Sequence, residues 1–444
     1  MATPIRTLSR PSLYCMAIVA ASLLAACGDG NIAGPDTQYG NTPALPEPKN
    51  YLLPPMEIAR AGSWNPGEKP TAAAGLKVEA LAMGLMHPRT VYVLPNGDIL
   101  VVETNGPKAP INRPKDLIMG PIKALGGTAG KGGNRITLLR PAGADGGPAV
   151  RTVFLDHLNS PFGVALVGTD LYVANTDAVV RYPYVTGETR ITAPGTKLVD
   201  LPGGPIDHHW TKSLLASADG SKLYVGVGSN SNIVENGFPA EMNRAAIWEV
   251  DRNSGAMRIF ASGLRNPNAM QWEPQSGKMW VVVNERDEIG PNLVPDYLTS
   301  VQDGGFYGWP YSYYGAHVDP RVMPQRPDLV AKAIVPDYAL SSHAAPLGLV
   351  FTGGTGLTDA YHGGAFVGEH GSWDRSPMNG YKVVFVPFKE GRPAGPPQDF
   401  VTGFLQADDH AKGRPVGLAI DRSGGLLIAD DVGNAVWRVT AANP

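Results

Sequence analysis

The chain is nearly free of cysteine and has no sustained helical pattern, and both absences limit the possible folds. Only Cys15 and Cys27 occur among the 444 residues. Cys15 lies in a segment that we expect to be removed, so the mature protein has no pair of thiols for a disulfide. No segment repeats its apolar residues with a period of 3.6, which predicts few and short helices.

Strong charge and long hydrophobic runs are also missing. The net charge is −3, with no basic block, which argues against a nucleic acid partner. With 43% hydrophobic and 17% charged residues, the chain can bury a large core. The apolar run from Leu13 to Ala26 is too short to span a membrane as a stable helix.

The N-terminal residues have the order of a targeting signal. Arg6 and Arg10 precede the apolar run, which ends in small residues directly before Cys27. This order is typical of a bacterial lipoprotein signal and predicts that residues 1–27 form a signal peptide with a lipidated Cys27. The protein would then be lipid-anchored to a membrane in the bacterial periplasm. An ordinary secretory signal with an incidental cysteine is the alternative.

The next 48 residues differ in composition from the rest. Residues 28–75 are rich in Gly, Pro, Asn and Ala, which predicts a flexible tether with no fold of its own. We expect one catalytic domain over residues 76–444, opened by an outer strand near Leu76 that closes against the last repeat.

A hairpin-like unit recurs six times along that domain. Apolar runs flank a turn, often Asn-Gly, Asp-Gly or Gly-Gly, which is the pattern of a β-hairpin. The copies begin at Pro88, Pro161, Ser213, Asn266, Ala345 and Arg414. Their spacing of roughly 50 to 80 residues fits one four-stranded sheet each, which predicts an all-β, six-bladed β-propeller. Its axial mouth, where loops from every blade converge, is the expected site of chemistry.

Two long insertions interrupt the repeats. The first, Lys108 to Asn134, is rich in Gly, Lys and Pro, and the second, Glu285 to Asp319, is rich in aromatic residues. We expect both to form loops near the mouth, because long insertions in a tight repeat often carry function.

Several residues that precede or follow the repeats could carry chemistry. A neutral His209 suits a general base, although a lone histidine is more often structural. Arg265, held between glycine and proline, suits a developing oxyanion, although a surface arginine is the commoner case. The carbonyls of Gly290 and Pro291 are oxygen ligands of the kind that Ca²⁺ prefers, although a plain solvated turn is the alternative. A further cationic set suits a ligand with several carboxylates; its members are His343, His370, Arg375, Lys412 and Arg414.

Joint motifs make the chain resemble the pyrroloquinoline-quinone (PQQ) dependent sugar dehydrogenases, in particular the soluble aldose sugar and sorbosone dehydrogenase branch. The resemblance runs from about Leu76 to Arg438 and rests on HHWTK, GLRNPNAMQWEP, DEIGPN, HAAPLGLVF and GEHGSWDRSPMNGYKVVFVPF. It implies a six-bladed propeller, PQQ and Ca²⁺. It also implies oxidation of a sugar at C1 by hydride transfer to the quinone, with the electrons passed to a periplasmic cytochrome or quinone.

The same resemblance implies residue roles. His209 matches the general base, and Arg265 matches the arginine at the reactive quinone carbonyl. Gly290 and Pro291 match the calcium ligands. Asn266 and Arg414 match cofactor-binding residues, and Lys412 matches a third less closely. His343, His370 and Arg375 are further predicted cofactor-binding residues at positions where the chain departs from the family. The chain departs from the family in having no equivalent of a cofactor-binding Gln, a histidine at 343 where the family has a threonine, and Glu369 to Ser372 in the region of the family's lysine.

Two other functions stay open at this point. A calcium-dependent propeller lactonase or hydrolase would need side-chain carboxylates and an asparagine around an axial metal. A non-catalytic binding propeller would gain neither absorbance nor activity on addition of PQQ and Ca²⁺.

Overall fold

The computed structural model describes residues 35–49, 57–108, 121, 124–127, 130, 132–142, 150–204, 208–353 and 356–442. Their main elements are antiparallel strands, and α-helix is confined to the four-residue Pro327–Val330 and to residues 121, 124 and 125. Short 3-10 turns lie at Pro35–Gln38, Phe238–Glu241 and Asp359–Tyr361. No described helix is long and apolar enough to cross a membrane.

Six sheets of four consecutive strands each form the body of the fold, and we number them blades 1 to 6. Blade 1 consists of Pro88–Val93, Ile99–Glu103, Arg135–Arg140 and Val150–Leu155. Blade 2 consists of Gly163–Val167, Asp170–Ala174, Ala178–Pro183 and Thr196–Asp200. Blade 3 consists of Lys212–Ala216, Lys222–Val227, Ala246–Asp251 and Met257–Ser262.

The second half of the ring repeats this order. Blade 4 consists of Pro267–Trp272, Met279–Val283, Pro295–Ser300 and Tyr338–Ser342. Blade 5 consists of Pro346–Phe351, Gly364–Glu369, Lys382–Lys389 and Gln398–Thr402. Blade 6 consists of Pro415–Ile420, Leu426–Asp430, Ala435–Ala441 and, from the start of the domain, Leu76–Ala82. The first hairpin of each blade is one of the six sequence repeats.

The ring closes in the way that the sequence predicts. Leu76–Ala82 pairs antiparallel with Ala435–Ala441, so the first and last parts of the domain share one sheet. The first strand of each blade packs against the first strand of the next, and that of blade 6 packs against that of blade 1. These strands surround an axial cavity of about 340 Å³. The predicted all-β, six-bladed β-propeller is therefore confirmed.

The core lies between the blades. Six clusters of buried apolar side chains occur among the described residues, one at each interface between neighbouring blades. The second strands Ile99–Glu103 and Met279–Val283 are buried along their whole length, because both faces of each sheet are covered. Burial of both sheet faces stabilises the ring without disulfides.

The segment before the domain does not behave as the predicted tether, and this prediction needs correction. Tyr39–Gly40 adds a strand to blade 4, and Thr71–Ala72 adds one to blade 5. Arg60–Ala61 pairs with His410–Ala411, and the Trp64 indole stacks edge-on against Trp437. Residues 35–49 and 57–75 are thus bound to the propeller by strand pairing and by an aromatic contact. The composition of the segment does not predict these contacts, because the residues that it pairs with lie in the propeller.

The two predicted insertions have different outcomes. Most of Lys108 to Asn134 lies outside the described residues. Glu285 to Asp319 is not a plain loop, because it contains the third strand of blade 4, Pro295–Ser300, and the hairpin of Ser312–Tyr313 with His317–Val318. Its aromatic residues Tyr297, Tyr307 and Tyr313 are buried in the cluster between blades 3 and 4, where they contribute to the packing of the two blades.

Candidate functional site

One end of the ring gathers the polar residues, and we call it the mouth. In each blade the first and second strands are antiparallel, so the start of the first meets the end of the second: Pro88 with Glu103, Pro267 with Val283, and Pro415 with Asp430. The residues just before each first strand and just after each second strand therefore share this end. All the predicted site residues belong to these connections.

His209 lies at the mouth ahead of blade 3 and is held by its neighbour loop. Its Nδ1 lies 2.9 Å from the carbonyl oxygen of Ser229, an acceptor, so Nδ1 carries the proton and Nε2 is left to accept one. Burial and the charge of Arg265 lower the pKa of His209 well below its usual value. The side chain is therefore a neutral imidazole at pH 7.

Arg265 is buried, 2% exposed, and fixed by four hydrogen bonds. Its guanidinium donates to the backbone carbonyls of Asn284 and Glu285. It also donates to the side chains of Asn232 and Asp287, in both cases at 3.0 Å. Its Nε has no partner among the described residues. Arg265 thus offers a ligand near His209 a fixed positive charge.

Asn266 follows Arg265, and both Asn266 and His209 pack against the backbone of Gly228. A Cβ at position 228 would lie 2.5 Å from both Asn266 Oδ1 and His209 Cβ, so only glycine fits between them. Asn266 Oδ1 is buried and has no hydrogen-bond donor among the described residues. An acceptor is therefore available beside the predicted base.

Arg265 also anchors a largely buried cluster of Asp287, His343 and Asp374, which we call the Asp287 cluster. His343 Nδ1 lies 3.2 Å from Asp287 Oδ1, and one ligand atom from each of the three side chains lies within 4.8 Å of the others. Asp374 Oδ2 accepts the backbone N–H of Glu288 at 2.8 Å, while its Oδ1 is buried and unpartnered among the described residues.

The charges in the Asp287 cluster shift all three pKa values. Burial opposes ionisation of Asp287, but Arg265 and His343 outweigh it and lower its pKa to about 2. Burial would lower the pKa of His343, but its hydrogen bond to Asp287 and the Asp287 charge outweigh burial and raise it to about 9. Burial raises the pKa of Asp374 to about 7 against the opposing charge of His343. Without a bound cation, His343 is therefore positively charged at pH 7.

The two carbonyls predicted to hold calcium already accept hydrogen bonds from the protein. His343 Nε2 donates to Gly290 O at 3.1 Å, and Arg375 donates to Pro291 O at 2.8 Å. The same Arg375 nitrogen lies 3.2 Å from Gln38 Oε1, and Gln38 Nε2 donates to the Asn292 carbonyl. Arg375, predicted to grip the cofactor, thus holds this turn and the N-terminal segment together.

A second group of buried charges, the Asp431 cluster, joins blades 1, 5 and 6. Asp431 accepts from Arg89 at 2.6 Å and lies 2.9 Å from His370 Nε2 and 3.8 Å from His87 Nε2. Burial lowers the pKa of His370 to about 4, although Asp431 opposes this. Burial would raise the pKa of Asp431, but its two histidines and Arg89 outweigh burial and lower it. His370 is therefore neutral at pH 7.

Arg414 and Lys412 have different surroundings although they are two residues apart. Arg414 belongs to the Asp431 cluster: its guanidinium lies 3.5 Å from the His370 carbonyl and 4.7 Å from the Tyr381 ring centre, and its buried Nε is unpartnered among the described residues. Lys412 instead forms a 2.8 Å ion pair with Glu68 of the N-terminal segment. The structure thus places Arg414 in the mouth and Lys412 against the pinned segment.

The predicted residues fall into two connected groups, with Lys412 separate from both. His209, Arg265, Asn266, His343, Gly290, Pro291 and Arg375 form a chain of contacts, and His370 and Arg414 lie in the Asp431 cluster. The sequence reading missed Asp287, Asp374, Asp431, Arg89 and His87. Alignment of the repeats could have found His87, because it precedes Pro88 as Asn266 precedes Pro267 and Arg414 precedes Pro415.

Two family models match the chain. The TrAA12-like model matches residues 145–296 and 329–442, and the Glucose / Sorbosone dehydrogenase model matches residues 233–372. The second match agrees with the family resemblance drawn from the motifs. A relative from Borreliella burgdorferi, described as an uncharacterized protein, is 27% identical over 292 residues, which cover 64% of this chain and 76% of the relative.

Solved structures with the same fold include the following three. The PQQ domain of pyranose dehydrogenase from Coprinopsis cinerea, in its holo form, is 21% identical, covers 86% of this chain and all of its own, and has a TM-score of 0.68. A calcium structure of the family AA12 enzyme from Trichoderma reesei is 19% identical (87% and 99% covered, TM-score 0.66). The PQQ-bound aldose sugar dehydrogenase from Streptomyces coelicolor is 16% identical (83% and 99% covered, TM-score 0.53). At these identities the likeness shows the fold.

Proposed function

The chain belongs to the TrAA12-like family, and from this premise we propose that it is a PQQ- and Ca²⁺-dependent oxidoreductase that oxidises a sugar at C1. The match to the Glucose / Sorbosone dehydrogenase model indicates a sugar oxidoreductase. The dependence on PQQ and Ca²⁺ and the position of oxidation are the parts that we propose.

One observation carries the proposal: a neutral imidazole lies beside a fixed guanidinium at the mouth of the ring. His209 presents Nε2 as a base because Ser229 holds Nδ1, and burial together with the charge of Arg265 keeps the ring neutral. Removal of a proton from a hydroxyl needs a base in this state near neutral pH, and negative charge that develops nearby is stabilised by the guanidinium.

The residues at the mouth suit an anionic cofactor with several carboxylates. Arg265 and Arg414 are buried, and each has an Nε without a partner among the described residues. A buried guanidinium with an unused N–H favours an oxygen-rich anion as a partner. Arg265, Asn266, His370 and Arg414 are the residues that would hold PQQ.

The proposed calcium ligands fit less directly. The carbonyls of Gly290 and Pro291 each accept one protein hydrogen bond, and a carbonyl oxygen has a second lone pair to offer. Ca²⁺ prefers oxygen ligands, which both carbonyls supply.

The chain's own part in the reaction is to position and deprotonate the sugar. When bound, PQQ supplies the two-electron acceptor and Ca²⁺ supplies a Lewis acid. His209 Nε2 takes the proton of the C1 hydroxyl. Asn266 Oδ1 accepts a hydrogen bond from a ligand hydroxyl or N–H, and Arg265 stabilises the negative charge that develops.

We also propose where the protein works. Lipidation at Cys27 would anchor it to a membrane in the bacterial periplasm, and a periplasmic cytochrome or quinone would take the electrons. The support is the order of charged, apolar and small residues before Cys27.

The test is reconstitution of the purified protein with PQQ and Ca²⁺, followed by an assay of aldoses and sorbosone with a dye acceptor. We expect one PQQ per chain and dye reduction with at least one sugar. In His209→Ala the cofactor should still bind while kcat falls by about 10²- to 10⁴-fold, and the exposed His362→Ala should match the wild type. No cofactor binding and no dye reduction would overturn the proposal, and full activity of His209→Ala would remove His209 from the mechanism.

A calcium-dependent hydrolase is a second candidate because the Asp287 cluster contains side-chain carboxylates. Asp287 shares Arg265 with Asn232, and Asp374 lies beside Asp287 in the cluster. Carboxylates and an asparagine around a cation are the ligands that a propeller lactonase needs. Hydrolysis of lactones by the same preparation, without PQQ, would favour this second function.

A further inference from the structure

The Asp287 cluster has the composition of a metal site whose ligands all come from protein side chains. It presents two carboxylates and one imidazole, and their ligand atoms lie within 4.8 Å of one another. Donors on opposite sides of one cation are about 4–5 Å apart, and adjacent donors about 3 Å, for bonds of about 2.0–2.4 Å. The distance of 3.2 Å between His343 Nδ1 and Asp287 Oδ1 fits two adjacent ligands.

Each of the three side chains is held in place by a contact on its other side. Arg265 donates to Asp287 Oδ2, and the backbone N–H of Glu288 donates to Asp374 Oδ2. His343 Nε2 donates to the carbonyl of Gly290, which leaves Nδ1 facing Asp287. Metal-binding histidines commonly donate their second ring N–H to a backbone carbonyl in this way.

The environment of Asp374 is a second, independent observation that favours a bound cation. The side chain is 1% exposed, and its Oδ1 has no hydrogen-bond partner among the described residues. A buried carboxylate oxygen without a partner costs free energy that a bound cation would recover. The cluster is therefore more than a group of acidic residues that pair with one another.

We propose that Asp287, His343 and Asp374 form a divalent-cation site of this chain, and that Zn²⁺ and Co²⁺ bind there more tightly than Ca²⁺. The cation replaces the proton on His343 Nδ1 and takes one oxygen from each carboxylate. An imidazole nitrogen among the ligands favours borderline ions over Ca²⁺, which prefers an all-oxygen shell. In this arrangement the Gly290 carbonyl orients His343 and is not a ligand of this cation, so the site is distinct from the calcium site proposed at the Gly290 and Pro291 carbonyls.

The experiment uses the purified protein without an affinity tag and without PQQ, stripped with a chelator. Calorimetric titration with Zn²⁺ and with Ca²⁺, together with the visible spectrum during Co²⁺ titration, gives stoichiometry and relative affinity. We expect one Zn²⁺ or Co²⁺ per chain, and at least tenfold weaker binding in Asp374→Asn and in His343→Gln. The matched control is the double variant Asp359→Asn, His362→Gln, which alters an exposed aspartate–histidine pair and should bind as the wild type does.

A measurement on the wild type keeps the test decisive if the variants fold poorly. X-ray absorption of the zinc-loaded protein should show one imidazole in the first shell, together with carboxylate oxygens. No stoichiometric binding, tighter binding of Ca²⁺ than of Zn²⁺, or a first shell without imidazole would overturn the proposal. Because PQQ is absent throughout, the proposed function can fail in reconstitution while this site is found, and the reverse.

Discussion

Two aspartate–histidine pairs with buried histidines lie at the mouth, and these histidines differ in charge at neutral pH. His343 beside Asp287 has a pKa raised to about 9, whereas His370 beside Asp431 has a pKa lowered to about 4. Burial acts in the same direction on both rings. The difference comes from the third partner: Asp374 adds a second carboxylate near His343, while Arg89 and Arg414 add positive charge near His370.

The comparison shows that the surrounding charges, and not the pairing itself, decide the state of a buried histidine. In the Asp287 cluster carboxylates outnumber the one guanidinium, which suits a cation. In the Asp431 cluster guanidinium groups outnumber the one carboxylate, which suits an anion. One mouth thus has a side suited to a cation, which we call the cation-binding side, and a side suited to an anion, which we call the anion-binding side.

The largest expected effect comes from removal of the carboxylate that pairs with Arg89 and His370 on the anion-binding side. In the wild type a guanidinium nitrogen of Arg89 lies 2.6 Å from Asp431 Oδ2. Asp431→Asn leaves this buried guanidinium without its charge partner. We expect a loss of about 3–5 kcal/mol in the free energy of unfolding, measured by urea denaturation.

The matched control is Asp328→Asn, which breaks an exposed pair with Arg326. It should leave the free energy of unfolding nearly unchanged, because solvent screens an exposed ion pair. Equal costs for the two variants would mean that the Asp431 charge is not needed to keep Arg89 buried, and the contrast between the two clusters would then lose its basis.

The next effect is a pH dependence of opposite sign on the two sides. In metal-free protein the pKa of His343 is above the unfolded value of 6.5, so its contribution to stability is complete below pH 6.5 and is lost as the pH rises towards about 9. The pKa of His370 is below 6.5, so stability is lost as the pH falls from 6.5 towards about 4. Each contribution is at most about 3 kcal/mol.

The variants His343→Gln and His370→Gln separate the two contributions. The first should flatten the fall in unfolding free energy between pH 6.5 and 9, and the second should flatten its rise between pH 4 and 6.5, relative to the wild type. His317→Gln, which alters an exposed histidine, is the control. If both cluster variants changed the profile in the same pH range, the assigned charges of the two rings would be wrong.

The smallest effect concerns the N-terminal segment on the cation-binding side. Gln38→Ala removes the hydrogen bonds to the Asn292 carbonyl and to Arg375, and should cost about 1–2 kcal/mol of unfolding free energy. The exposed Gln398→Ala should cost almost nothing. A cost for Gln38→Ala no larger than that of the control would show that the buried segment is not held by this side chain.

The fold could be predicted from the sequence because its signal is local and repeated. Each hairpin brings its own alternation and turn, as in Leu94 to Asp98, where Gly97 takes a φ of 93° and the two ends are hydrogen-bonded. The position of Leu76–Ala82 as the closing strand followed from the same repeat. The roles of Asp287, Asp374 and Asp431 could not be predicted in this way, because their partners lie tens to hundreds of residues away.

The same limit explains the N-terminal segment. Gln38 and Trp64 stand in a stretch whose composition is that of a linker, and only the propeller surface supplies their partners Asn292 and Asp430. Composition gives the average polarity and flexibility of a segment, whereas two or three side chains with specific hydrogen bonds are enough to hold it against the propeller.

The hydrogen bonds of Gln38 to the propeller limit how far the propeller can move from the lipid proposed at Cys27. Eleven residues lead from Cys27 to Gln38, and a chain of that length reaches at most about 40 Å when fully extended. With Cys27 in the bilayer, the catalytic face would therefore stay within roughly one protein diameter of the lipid headgroups. A membrane quinone or a membrane-bound cytochrome would then meet this enzyme far more often than a freely diffusing carrier.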